Sequence, residues 1–262
     1  MSLSGPKIQA FLSKPPTTPQ GSLCRTPILL SDSKGFALKD KTPLRFVEFW
    51  CQSGLQTERA IDQLEHRLES RDFGSALIYI WLGTCDITRK EGKITQVRCW
   101  DNTVVDTITA QYRRAITIVS KFRDINVKFI EIPCYSIVAY NRHKGHSNAD
   151  VFKNQDIEIC RQVEALNAKI RALNSEIGQS TLRFNKDVTR RRKDTDNRRK
   201  KNNGVRISYK FSVFYDGIHP GTELALIWSR RLTEDINRSC FRVLPEDILD
   251  IQVSEEDLKS IE

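Results

Sequence analysis

Ser33, Asp216 and His219 are the residues of this sequence best suited to covalent chemistry. A serine hydroxyl is a weak nucleophile at neutral pH until an imidazole takes its proton, and the imidazole works best when a carboxylate fixes its tautomer. His219 stands three residues after Asp216 in Tyr215-Asp216-Gly217-Ile218-His219-Pro220, close enough for that contact. Ser33 lies in Ser31-Asp32-Ser33-Lys34-Gly35, following the apolar run Ile28-Leu29-Leu30. The chain order Ser, Asp, His is one of several used by unrelated serine hydrolases, so geometry and not order must decide. The competing readings are ordinary: a serine that ends a strand or caps a helix, and a turn histidine beside the last helix.

The elements that must bring these residues together can be read from apolar patterning. Strands are expected at Pro27–Ser31, Leu44–Cys51, Ala76–Leu82 and Val127–Ile132. Helical spacing appears between them. Thr57 can cap a helix with Ala60, Ile61, Leu64 and Leu68 on one face, and Thr103 with Asp106 resembles a capping box. Longer patterns run from Asn154 to Ile177 and onward from Thr222. This alternation predicts a parallel sheet with helices on both faces, whose site lies at the carboxyl ends of the strands. Ser33 and the segment Gly83-Thr84-Cys85-Asp86 both fall at such ends.

Composition bounds the rest. The 262 residues suit one sizeable domain at 26–240, preceded by a Pro-, Ser- and Thr-rich flexible arm at 1–25 and followed by an acidic tail at 241–262. No apolar stretch reaches the roughly 18 to 20 residues needed to cross a bilayer. No secretory signal is visible, and seven widely spaced cysteines read as reduced thiols, so an intracellular protein, cytoplasmic or nuclear, is expected. No Cys-x-x-Cys pair and no Gly-rich phosphate loop occur, so neither metal nor cofactor is expected.

The net charge is +9; residues 246–262 carry seven acids against Lys259, which leaves +15 on the rest. Ten Arg and Lys lie from Arg183 to Lys201, among them Arg190, Arg191, Arg192, Lys193, Arg198, Arg199, Lys200 and Lys201. They predict an exposed basic loop at 185–203 that would meet the phosphates of RNA or DNA, with general solubility and nuclear targeting as the bland alternatives.

Four segments, taken in order, resemble the dispersed blocks of the SGNH (GDSL-like) hydrolase superfamily over about residues 26 to 240. Ser31-Asp32-Ser33 is similar to its Gly-Asp-Ser, Gln52-Ser53-Gly54 to the glycine after the second strand, Gly83-Thr84-Cys85-Asp86 to its Gly-x-Asn-Asp, and Asp216-Gly217-Ile218-His219-Pro220 to its Asp-x-x-His-Pro. The resemblance implies a three-layer, flavodoxin-like α/β fold with a central parallel sheet. It also implies a Ser33–His219–Asp216 triad and oxyanion donors at the Ser33 and Gly54 N–H groups and at position 85. There the family asparagine is replaced by Cys85, a weak donor. Loss of one such donor typically lowers turnover by about 100- to 1000-fold. Gly54 also has the bland reading of a turn glycine, and Asp32 and Asp86 are expected to bond loop N–H groups.

Two functions follow as expectations. The first is a serine esterase or deacylase acting on an ester of open identity. The second is a nucleic-acid-binding protein on a catalytically weakened scaffold of the same type, loosely resembling retrotransposon-encoded proteins that join an SGNH-like esterase to nucleic-acid binding.

Overall fold

The run Ala76–Trp81 becomes an interior strand with all six residues buried, as a parallel strand covered on both faces requires. The computed structural model describes residues 5–15, 17–193 and 205–243. In chain order they form α1 (Gly5–Ser13), β1 (Ser22–Leu23), β2 (Thr26–Ser31), α2 (Lys34–Lys39), β3 (Glu48–Cys51), α3 (Thr57–Ser70), β4 (Ala76–Trp81), α4 (Thr84–Ile87), β5 (Thr88–Glu91) and β6 (Ile94–Val97). There follow α5 (Thr103–Val119), β7 (Ile125–Phe129), α6 (Ile137–His143), α7 (Lys153–Glu176), α8 (Asn185–Val188), β8 (Thr189–Lys193), β9 (Val205–Tyr209), α9 (Thr222–Cys240) and β10 (Phe241–Arg242).

The central sheet has the order β3-β2-β4-β7, parallel throughout, with Ser31 in register with both Cys51 and Trp81. Side chains alternate across it. On one face Trp81 packs edge-on against Phe184 and Trp228 of α9, and Tyr79 donates its hydroxyl to Asp235 of α9 at 2.9 Å. On the other, Phe129 stacks on Tyr112 of α5, whose hydroxyl donates to the Leu82 carbonyl at 2.9 Å. The expected three-layer α/β architecture is therefore present. No helix among the described residues is long and apolar enough to cross a membrane.

Several local expectations change. The strand at Leu44–Cys51 is confined to Glu48–Cys51, because residues 44–47 turn back on themselves through a Val47 N–H to Leu44 carbonyl contact. Neither expected cap forms as drawn. Thr57 is the first helical residue and gives both its N–H and its hydroxyl to Asp86, while the Thr103 N–H goes to Asp101 at 3.0 Å. The segment expected as a flexible arm holds α1, whose Phe11 lies under Arg230 and Arg231 of α9, and β1, which pairs with β10. Arg230 donates to the backbone carbonyls of Phe11, Lys14 and Pro15, which offsets the cost of ordering a Pro-rich stretch.

The expected exposed loop at 185–203 also begins inside the core. Asn185 accepts the Cys134 N–H at 2.8 Å and donates to Glu164, Asp187 pairs with Arg231, and Val188 is buried. From there β8 and β9 form an antiparallel hairpin. The acidic stretch from residue 244 onward lies outside the described residues.

Candidate active site

Ser33 lies two residues beyond the end of β2 and immediately before α2. Its loop is shaped by Asp32, which accepts the Lys34 N–H at 3.0 Å and forms a buried ion pair with the Lys34 ammonium. The same ammonium donates to Thr84 Oγ1 at 2.7 Å and lies over the Trp81 ring. A buried charge is tolerated only when paired and hydrogen-bonded, and this one is both. The pair thus clamps the loop after β2 to the loop after β4. Ser31, at the position where the resembled motif has glycine, turns its hydroxyl to the Trp81 carbonyl at 3.1 Å and away from the cavity. Gly35 cannot carry a side chain, because a Cβ there would collide with Cys51 Sγ.

The second half arrives from the far end of the chain. Asp216 sits in a turn held against α6, where the Gly217 carbonyl accepts the Ser136 N–H at 2.9 Å. Gly217 has φ +97, and a Cβ there would meet the Ser136 carbonyl oxygen at 2.6 Å, so both conformation and space demand glycine. Oδ1 of Asp216 accepts the N–H groups of Ile218 and His219 at 3.0 and 2.8 Å, which fixes the carboxylate. Its Oδ2 lies 2.7 Å from His219 Nδ1, and His219 Nε2 lies 2.9 Å from Ser33 Oγ.

The protonation states follow from the chemistry. Burial alone would raise the Asp216 carboxyl, but the bonds from the His219 ring and from the two N–H groups outweigh it and hold it down at about 2. An ionised carboxylate has no proton to give, so Nδ1 carries the hydrogen. In the neutral form of the ring this leaves the Nε2 lone pair facing the serine hydroxyl.

Ser33 and His219 open on a cavity of about 380 Å³ shared with Asp32, Gly54 and Cys85. Four of the five residues assigned from sequence to the triad and its oxyanion donors therefore line it, and Asp216 stands behind His219. Gly54 has φ +71, and no atom lies within 4 Å of where a Cβ would stand, so its glycine is set by conformation and not by crowding. Cys85 places Sγ 3.9 Å from Asp32 Oδ2; burial, then the nearby carboxylate, pushes its thiol up to about 12. It is a neutral thiol at physiological pH and not a thiolate nucleophile. Asp86 is structural: it takes the Thr57 N–H and hydroxyl at the start of α3, and burial raises its carboxyl against those bonds.

Of the eight cations assigned to nucleic acid, Arg190 is half-buried on β8, and Arg191, Arg192 and Lys193 continue that strand. The side chains of these last three, and all of Arg198, Arg199, Lys200 and Lys201, lie outside the described residues.

Two participants escaped the sequence reading. Lys34 was unassigned, although a lysine two residues from an aspartate directly after a buried strand is a signal for such a clamp. The β5–β6 hairpin, whose Thr88, Lys90 and Thr95 line the cavity, was also missed. Its signal was the two-residue Gly92-Lys93 turn, with Gly92 at φ +61.

No protein-family model matches the chain, and no curated protein is significantly similar to it. Among solved structures it is similar to a GDSL-like lipase from Bacteroides thetaiotaomicron, at 13% identity and TM-score 0.54, covering 80% of this chain and 86% of that one. It is also similar to a protein of Bacteroides fragilis described as an acylhydrolase, at 11% identity and TM-score 0.55, covering 91% and 97%. The chain has the α/β fold of SGNH (GDSL-like) hydrolases.

Proposed function

We propose that this protein is a serine ester hydrolase, an esterase or deacylase, with Ser33 as nucleophile, His219 as general base and acid, and Asp216 as the residue that orients His219. The observation that carries this reading is the unbroken hydrogen-bonded line from Ser33 Oγ to His219 Nε2 at 2.9 Å and from His219 Nδ1 to Asp216 at 2.7 Å. The lipase and acylhydrolase names of the structural neighbours point the same way.

In this mechanism Ser33 Oγ attacks the ester carbonyl as its proton passes to Nε2, and the Asp216 carboxylate stabilises the imidazolium that results. The tetrahedral oxyanion is held by the N–H groups of Ser33 and Gly54, with the Cys85 thiol a weak third donor. Collapse expels the alcohol, which takes the proton from Nε2, and leaves an acyl group on Ser33. Water then repeats the sequence and frees the acid. Ser33→Ala should abolish hydrolysis of a short-chain nitrophenyl ester; equal rates for the variant and the parent would remove the proposal.

A further inference from the structure

One wall of the cavity belongs to the β5–β6 hairpin, which the proton relay does not use. Lys90 is the register partner of Thr95, and Thr88 that of Val97, so these four share one face of the hairpin. Thr88, Lys90 and Thr95 line the cavity. Arg89 alternates to the other face of β5 but also lines the cavity, and its charge is matched by Glu91 at 3.0 Å.

Lys90 forms no ion pair among the described residues. Arg98, which follows β6 and also lines the cavity, gives Nε to the Asp86 carbonyl at 2.6 Å and Nη2 to the carbonyls of Thr88 and Cys85 at 3.0 and 3.3 Å. Neutral carbonyls fix the guanidinium without cancelling its charge, and Nη1 has no acceptor among the described residues. Asp32 is committed to the Lys34 ammonium, and Asp216 is bonded to the His219 ring. Asp86 is held by the neutral Thr57 N–H and hydroxyl and lies close enough to Arg98 to offset part of the guanidinium charge, whereas Lys90 has no carboxylate partner among the described residues.

A second, independent observation marks the same wall. Thr95 is 2% exposed, and its Oγ1 has no hydrogen-bond partner among the described residues. Its backbone is pinned on both sides by Asn141, through the Thr95 N–H to Oδ1 at 2.8 Å and Nδ2 to the Thr95 carbonyl at 2.9 Å. A buried hydroxyl without a partner is destabilising, and an oxygen acceptor arriving from the cavity would supply one.

We infer that the cavity selects esters carrying a carboxylate, bound by Lys90 and Arg98 with Thr95 as a neutral donor; this rests on the hydrolase reading above. The carboxylate can belong to the acyl or to the alcohol part, and paired substrates separate the two. For the acyl side, mono(4-nitrophenyl) adipate is compared with its neutral methyl ester; for the alcohol side, 4-acetoxybenzoate with methyl 4-acetoxybenzoate. Spontaneous rates are subtracted.

In one of the pairs, kcat/KM for the anion should exceed that for its neutral partner by about tenfold or more, the size of one charge-assisted hydrogen bond. The ratio should shrink as salt is added. Lys90→Gln should bring it toward one and Lys90→Glu below one; Lys90 is exposed on a hairpin strand, so neither change removes a core contact. A parent ratio of one or less in both pairs, or a ratio unmoved by Lys90→Glu, overturns the carboxylate subsite while leaving the hydrolase standing. Cleavage of none of the four esters faster by the parent than by Ser33→Ala overturns both.

Discussion

The two sides of the cavity are built to different standards. On the proton side, each atom between Ser33 Oγ and the Asp216 carboxylate has one partner at hydrogen-bond distance, and the carboxylate is fixed by two backbone N–H groups besides. On the side proposed to hold the oxyanion, position 85 offers a neutral thiol whose sulfur faces Asp32, and the nearby Lys34 ammonium is committed to Asp32 and Thr84. The contrast separates two quantities that are easily conflated. Making a serine nucleophilic depends on the first side, whereas stabilising the charge that develops on the carbonyl depends on the second. Under the proposed mechanism, a complete relay beside a weakened oxyanion site predicts a reactive serine with modest turnover.

Substitutions on each side of the cavity separate the two contributions. The largest effect is expected at Asp216→Asn, which keeps the shape but allows the wrong imidazole tautomer; kcat should fall by about 10⁴-fold with KM little changed. Steady-state kinetics that show less than a tenfold loss would mean that the relay is not used. Next comes Gly217→Ala, which places a methyl group 2.6 Å from the Ser136 carbonyl at φ +97 and should cost about 3 kcal/mol in a urea melt. An unchanged midpoint would show that the turn under Asp216 is looser than described.

The oxyanion side is tested by a gain. Cys85→Asn should raise kcat by about 10- to 100-fold on the same ester, less than the full cost of a lost donor because the surrounding packing has accommodated sulfur. A fall in kcat would assign Cys85 a positive role.

The smallest effect is pH-dependent. The folded Asp216 carboxyl is held at about 2 against an ordinary 3.8, so its contribution to stability is present above 3.8 and is lost as pH falls toward 2. The stability difference between the parent and Asp216→Asn should therefore narrow between about pH 4 and pH 2. A constant difference would show that the carboxyl is not held down.

What the sequence revealed of this site follows the same division. The turn Tyr215–Pro220 was legible because its chemistry is local: Asp216 reaches His219 within three residues. Strand β4 was legible because a strand covered on both faces is an apolar run with no polar interruption. The clamp of Lys34 to Thr84 spans 50 residues and depends on strand neighbours, which patterning does not reveal. The β5–β6 hairpin was hidden because its strands are four residues long and β5 is entirely polar, so no apolar alternation marks it. The helix at Gly5–Ser13 was hidden by the prolines that follow it. What orders that segment is the side chain of Arg230, more than two hundred residues away.

In the proposed mechanism His219 activates Ser33. Treatment with a neutral alkyl fluorophosphonate, followed by peptide mapping of the adduct by mass spectrometry, measures this without knowledge of the natural ester. The expected result is a single adduct on Ser33, formed rapidly in the parent and in Cys85→Asn and at a strongly reduced rate in His219→Gln. An adduct on another residue, or labelling of Ser33 at the same rate without His219, would contradict the account.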